Sequence, residues 1–186
     1  MTEPRTRDAS ATRAAILEAA RALFAERGFE GVGLREIAAQ AGINVALTSR
    51  YFGSKEDLFK TAITEGFVFA EIANVERQDF GRHLANYILS KRERGALEPL
   101  LALLRSTGNP QITALMREIM DAQFIAPLAD WLGGERAKLR ATMIAAVILG
   151  VATSQDVLEV TVYTKTTRRA LVDVLAPAIQ LWVDGS

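Results

Sequence analysis

No arrangement of residues in this sequence points to covalent chemistry, and those suited to non-covalent recognition are grouped in one short stretch. There is no cysteine and one histidine, His83, which removes thiolate nucleophiles, disulfides and cysteine-based metal sites together. A single histidine without partners is no metal site, so His83 reads as a surface or interface residue. No nucleophile stands beside a base and no glycine-rich phosphate loop is present, which argues against an enzyme and implies no cofactor. By contrast, Asn44, Val45, Ser49 and Arg50 fall on one side of a segment that is apolar on the other. Short polar side chains and a guanidinium on an outward helix face suit hydrogen bonding inside a major groove about 12 Å wide.

The flanking residues supply the elements that must hold this face in place. Leu34, Ile37, Ile43, Leu47 and Phe52 take the inner faces of two short helices, Ala38 lies where they cross, and Gly42 fills a turn that demands positive φ. Ahead of them, Ile16, Leu17, Ala20, Leu23 and Phe24 recur at helical spacing from Ser10 to Arg27, with Gly28 as the stop. Behind them, Ser54-Lys55-Glu56-Asp57 has the form of a capping box and opens a helix through Leu58, Ala62, Phe67 and Ile72. Lys55 in that first turn opposes the helix dipole unless an anion such as a phosphate offsets it. The plain alternative is a solvated lysine paired with a neighbouring acid. Arg35 can reach a guanine edge or a phosphate, or pair with Glu36 or Glu30, and Arg50 has the same choice. Tyr51 either points its hydroxyl at the backbone of a duplex or packs under the first helix.

The 186 residues are rich in Leu, Ala, Ile, Arg and Glu and poor in Pro and aromatics, so an all-α fold of about nine helices is expected. Residues 1–9 read as a flexible, charged arm whose Arg5 and Arg7 either enter a minor groove or stay disordered. Beyond residue 70, helices are expected at about 80–93, 96–107, 110–132, 134–158 and 167–183, with Val160–Thr164 as a connector. The longest apolar run, Met143–Ala152, is about half of a membrane span and reads as a buried helix. With no secretory signal at the N-terminus, a cytoplasmic location follows, nucleoid-associated when bound to DNA. Net charge is zero, so a polyanion-binding surface must come from local arrangement.

From Thr12 to Phe59 the chain resembles, without a gap, the DNA-binding domain of the TetR (tetracycline-repressor) family. The likeness rests on Ala15-Ile16-Leu17-Glu18-Ala19-Ala20-Arg21-Ala22-Leu23-Phe24-Ala25-Glu26-Arg27-Gly28-Phe29, on Ile37-Ala38-Ala39-Gln40-Ala41-Gly42-Ile43, and on Tyr51-Phe52-Gly53-Ser54-Lys55-Glu56-Asp57-Leu58-Phe59. Two positions depart from the usual pattern: Ser49 stands where a Tyr is common, and Gly33 where a Ser or Thr caps the second helix. The resemblance implies a helix-turn-helix domain at 10–70, and a helical ligand-binding and dimerisation domain at 71–186. It implies DNA contacts from Arg35, Asn44, Val45, Ala46, Ser49, Arg50, Tyr51 and Lys55, a double-stranded operator, a homodimer and a small-molecule effector, with no membrane partner. Lys55, Tyr51 and Ser49 are assigned to phosphates, and Arg35, Asn44 and Arg50 to bases.

In the second half, the segment from Ile112 to Trp131 is apolar around more than half its circumference, either as ordinary core or as the wall of a cavity for an apolar guest. Phe67, Tyr87, Met116, Met120 and Phe124 are the lining candidates, with Glu118 or Asp121 as polar anchors. The last two helices carry wide apolar stripes, Met143, Ala146, Val147 and Gly150, then Leu171, Val174, Leu175, Ile179 and Trp182. Either stripe can serve the intramolecular core alone, whereas a four-helix bundle with a second copy is what the resemblance implies. A competing reading is a helical protein-interaction module without ligand-controlled DNA binding, which the zero net charge and Ser49 favour.

Overall fold

The computed structural model describes residues 4–65, 72–90, 98–106, 108–164 and 166–185, of which 4–8 and 98–100 are described by their backbone. Among the described residues the fold is all-α, with nine helices and no strand. They are α1 (Pro4–Arg27), α2 (Leu34–Gln40), α3 (Val45–Phe52), α4 (Lys55–Thr64), α5 (Phe80–Ser90) and α6 (Glu98–Leu104). Then α7 runs through Pro110–Met120, a π-helical stretch Asp121–Ile125 and Ala126–Leu132, α8 covers Ala137–Val157, and α9 covers Arg168–Asp184. Helix α1 starts at Pro4 instead of Ser10, so the part of the expected arm from residue 4 onward is helical. Proline suits a first helical turn, where its missing N–H has no partner to lose. Helix α4 ends at Thr64; of the rest of the run expected to Ile72, residues 66–71 lie outside the described residues and Ile72 and Ala73 are helical.

The chain forms two compact units, Met1–Gly66 with Glu98–Leu115, and Phe67–Leu97 with Met116–Ser186. In the first, α1 packs on α2, α4 and α6. Its centre is an aromatic triangle: Phe59 meets Phe24 edge-on at 5.0 Å and Phe29 edge-on at 5.3 Å, the geometry the ring quadrupole favours. The second unit is built on α5 and α9, with α7 and α8 against them. Phe80, Leu84 and Ile88, then Phe124, Leu128 and Leu132, then Val172, Ala176, Ile179 and Val183 are all buried at helical spacing. Two arginines close its helix ends. Arg77 donates to the carbonyls of Trp131, Leu132 and Val183, and Arg140 to those of Glu135, Gly133, Trp182 and Val183. Terminal carbonyls of α7 and α9 that lack partners within their own helices are thereby satisfied, at the negative end of each helix dipole.

Helix α8 departs from the sequence expectation. Far from being a buried helix, it is continuous over 21 residues and its most apolar window is only 22% buried. Its inner side holds Ala141, Ile144, Ala145 and Ala152, while Leu139 and Met143 stand 65% and 48% exposed on the other. By length and composition it could cross a membrane. The helix is thus apolar on both sides and covered by its own chain on one.

Candidate nucleic-acid interface

The site is built by α2, the turn after it, and α3. Gly42, with φ of +70° and nothing within 4 Å of where a Cβ would stand, makes the left-handed turn. The chain is then returned by the Ile43 N–H donating to the Ala38 carbonyl at 2.9 Å. Ile37 and Ala38 are buried beneath it, and Phe52 closes the far end of α3. Asn44 starts α3: its Oδ1 accepts from the Ala46 N–H at 2.9 Å, the usual work of an Asn N-cap. Both amide N–H donors and the second lone pair of Oδ1 are left for an outside partner.

Asn44, Val45, Ala46, Ser49 and Arg50 are exposed on the opposite side, with Arg35 exposed at the start of α2 and Tyr51 half-buried. The acids that the sequence offered to Arg35 are taken. Glu36 accepts from the Gly33 N–H at 2.8 Å and from Arg27 at 2.8 Å, so Gly33 and then Arg27 hold its carboxyl below the usual glutamate range. Glu30 accepts from the Asn109 amide. Among the described residues, Arg35 and Arg50 make no ion pair and no hydrogen bond. Each guanidinium therefore presents its full set of donors outward.

After Gly53, at φ +76°, the sequence-predicted capping box forms. Ser54 Oγ accepts from the Asp57 N–H at 3.0 Å, and Asp57 accepts from the Ser54 N–H at 3.3 Å and its hydroxyl at 2.6 Å. The Ser54 hydroxyl and N–H keep the Asp57 carboxyl below the usual range. Lys55 is half-buried and pairs with no acid among the described residues. Its ammonium lies instead over the face of Phe29, 4.1 Å from the ring centroid.

The inner face of α3 holds one mismatch. Thr48 is fully buried and its hydroxyl has no hydrogen-bond partner, a state that costs about 1–3 kcal/mol. Thr48→Val removes the hydroxyl at nearly constant shape, so thermal unfolding is expected to rise by roughly 2–4 °C, about 1 kcal/mol for a chain of this size. DNA affinity should stay unchanged, because the side chain faces inward.

Comparison with known proteins matches this geometry. Residues 16–62 match the family of bacterial regulatory proteins called tetR, and residues 78–183 match the tetracyclin-repressor-like C-terminal domain. The chain belongs to the TetR family. An HTH-type transcriptional repressor of Mycobacterium tuberculosis is 51% identical over 45 residues, 24% of each chain. Another, from Streptomyces coelicolor, is 44% identical over 57 residues, 31% of this chain and 30% of its own. The alignment thus spans about a quarter of the length of these curated relatives. A TetR-family regulator from Streptomyces coelicolor A3 is 28% identical, with 94% of this chain and 96% of that one covered and a TM-score of 0.60. NalD, the secondary repressor of the MexAB-OprM multidrug efflux pump in Pseudomonas aeruginosa, shares the fold at 20% identity, with 90% and 95% covered and a TM-score of 0.64.

In the second unit of this TetR-family chain the remaining candidates separate. On α8 and α9, Met143, Ala146, Gly150 and Val174 are exposed, with Val174 at 77%, and Val147, Leu171, Leu175 and Trp182 are half-buried. Ile179 is 0% exposed and belongs to its own chain's core, so it is unavailable to a partner. Sequence reasoning missed Leu181, 56% exposed one turn beyond Ala178; a stripe read from apolarity alone cannot tell the inner edge from the outer. Of the ligand candidates, Tyr87, Met116 and Met120 are half-buried, Phe124 is in the core, and Phe67 lies outside the described residues. Glu118 is exposed, and Asp121 pairs with Lys138 at 2.8 Å, so neither reads as a free polar anchor. His83 is half-buried and stacks on Tyr87 at 6.5 Å.

Proposed function

We propose that this TetR-family member is a homodimeric, cytoplasmic repressor. It holds a palindromic DNA operator and leaves it when a small apolar or amphipathic molecule binds the second unit. The DNA reading is carried by one observation, the outward face of α2 and α3 with two uncommitted guanidiniums, Arg35 and Arg50, beside the Asn44-capped helix start. Residues 10–70 are assigned to DNA, and the region from 71 onward to effector and partner, although 98–115 packs with the first unit. Repression is supported by the names of the similar proteins from Mycobacterium tuberculosis and Pseudomonas aeruginosa. An effector is supported by Met116 and Met120 lying half-buried on α7 and Tyr87 half-buried on α5, and by π-helical segments at Asp121–Ile125 and Thr153–Val157, since π-turns are frequent at functional sites. Release then follows from population shift: a tenfold loss of DNA affinity needs about 1.4 kcal/mol of differential binding between the two conformations.

Phosphate and base contacts separate by experiment. Arg50→Ala or Arg35→Ala is expected to cost roughly 1–3 kcal/mol on the operator and less on random duplex. Loss of a phosphate contact weakens every sequence alike. Fluorescence anisotropy titrations on both duplexes check this, and equal losses on the two would remove Arg35 and Arg50 from base reading.

A further inference from the structure

Phe29 follows Gly28 in the loop that leaves α1, and it is held from three sides within the first unit. Its ring is 5% exposed, stacked on Phe24 at 6.2 Å and met edge-on by Phe59 at 5.3 Å. Its N–H donates to the hydroxyl of Ser106 at 2.8 Å. Ser106 is 3% exposed and lies just past the end of α6. The backbones meet there too: Arg105 donates to the Ala25 carbonyl, and a Cβ on Gly28 would stand 2.5 Å from the Arg105 carbonyl oxygen. The outer face of the same ring carries the Lys55 ammonium.

We propose that Phe29 is the positioning residue for Lys55 and that Ser106 fixes Phe29, so that the end of α6 sets how Lys55 meets a DNA phosphate. This rests on the assignment of Lys55 to a phosphate. A lysine stem is flexible, and holding its head in one place costs rotamer entropy. A carboxylate could hold it, but would consume its hydrogen-bond donors and neutralise its charge. A ring face holds the ammonium through the quadrupole, leaves its charge unneutralised and keeps the N–H donors on the side away from the ring for an outside anion. A shift of Ser106 moves the Phe29 backbone, and with it the surface on which the ammonium rests. Phe29 and Ser106 touch no DNA in this scheme and act only through Lys55.

The test is the salt dependence of binding by the full-length protein to a random-sequence duplex, where phosphate contacts set the slope of log K against log salt. Lys55→Ala is expected to make the slope shallower by about 1.8 units, two contacts per dimer at about 0.9 each. Phe29→Leu should make it shallower by about 1 unit or more, with no further change in the Phe29→Leu/Lys55→Ala double variant. Phe29→Tyr, which keeps the aromatic face, should retain the wild-type slope. A purely structural role for Phe29 would lower the melting temperature and leave the slope alone. If Lys55→Ala moves the slope and Phe29→Leu does not, or if the two changes add in the double variant, the positioning role is wrong. An unmoved slope in Lys55→Ala overturns the phosphate assignment and this inference with it. Should Phe29→Leu fail to fold, Ser106→Ala decides: a shallower slope supports the proposal and an unaltered one overturns it.

Discussion

Ala146→Glu is expected to turn the protein into monomers. In the single chain Ala146 is exposed, on the side of α8 where Leu139, Met143, Ala146, Gly150 and Val157 recur at intervals of four, three, four and seven residues, all exposed. That is a repeat of 3.5, the spacing of a helix that packs at about 20° to its neighbour. On α9, Ala170, Val174, Pro177 and Leu181 are exposed at the same spacing. A second copy supplying the same two helices would cover both stripes, and Ala and Gly at the middle of α8 allow close approach. An isologous seam holds two copies of each residue, and each unpaired carboxylate buried in it costs several kcal/mol. The dimer dissociation constant should therefore rise at least about a thousandfold, roughly 4 kcal/mol. Because the side chain faces solvent in one chain, helicity should be unchanged. Sedimentation velocity gives the result, and a variant that stays dimeric with the wild-type constant would displace the interface from this face.

Gly81→Ala should be the most damaging single-methyl change in the second unit. Gly81 lies in the first turn of α5, where a Cβ would come 2.4 Å from the Ala176 carbonyl oxygen and 3.0 Å from the Gln180 backbone nitrogen. Its N–H also donates to Gln180 Oε1 at 2.9 Å. Both obstacles include backbone of α9, which cannot rotate aside as a side chain can, so α5 and α9 must separate. Replacing Gly by Ala in a helix ordinarily gains up to about 1 kcal/mol. Here overpacking of about 3 kcal/mol or more opposes it. A net loss of about 2–3 kcal/mol corresponds to a melting temperature lower by roughly 5–10 °C. A melting temperature at or above wild type would mean that the two helices cross less closely than described.

The helix-turn-helix could be read from the sequence because each of its parts is a local signal. Gly42 marks a positive-φ turn, Asn44 a cap, Ser54 and Asp57 a capping box, and the buried set Ile37, Ala38 and Phe52 follows helical spacing. The expected extent of α7 was also legible, because Pro110 and Gly133 punctuate it. What stayed hidden depends on contacts between residues far apart in the chain. Ser106 bonding to Phe29 spans 77 positions, and Arg77 reaching Val183 spans 106. Neither leaves a periodic trace. Lys55 illustrates a competition that sequence could not decide: an acid or an anion looked like its partner, and the ring of Phe29 took the inward side. Helix α8 misled for a related reason. Apolar residues on both of its sides look like burial, and only the fold separates the side covered by its own chain from the side left open.

Two copies of the α3 face are expected to read DNA together. Selection of the purified wild-type protein against a random-sequence duplex library tests it most directly. Two-fold symmetric recognition requires enrichment of an inverted repeat, with half-sites centred about one helical turn apart or slightly more. Single-base changes in either half-site should each cost roughly 1–3 kcal/mol. Enrichment of no sequence, or of one without two-fold symmetry, would mean that the α3 faces do not read DNA as a symmetric pair.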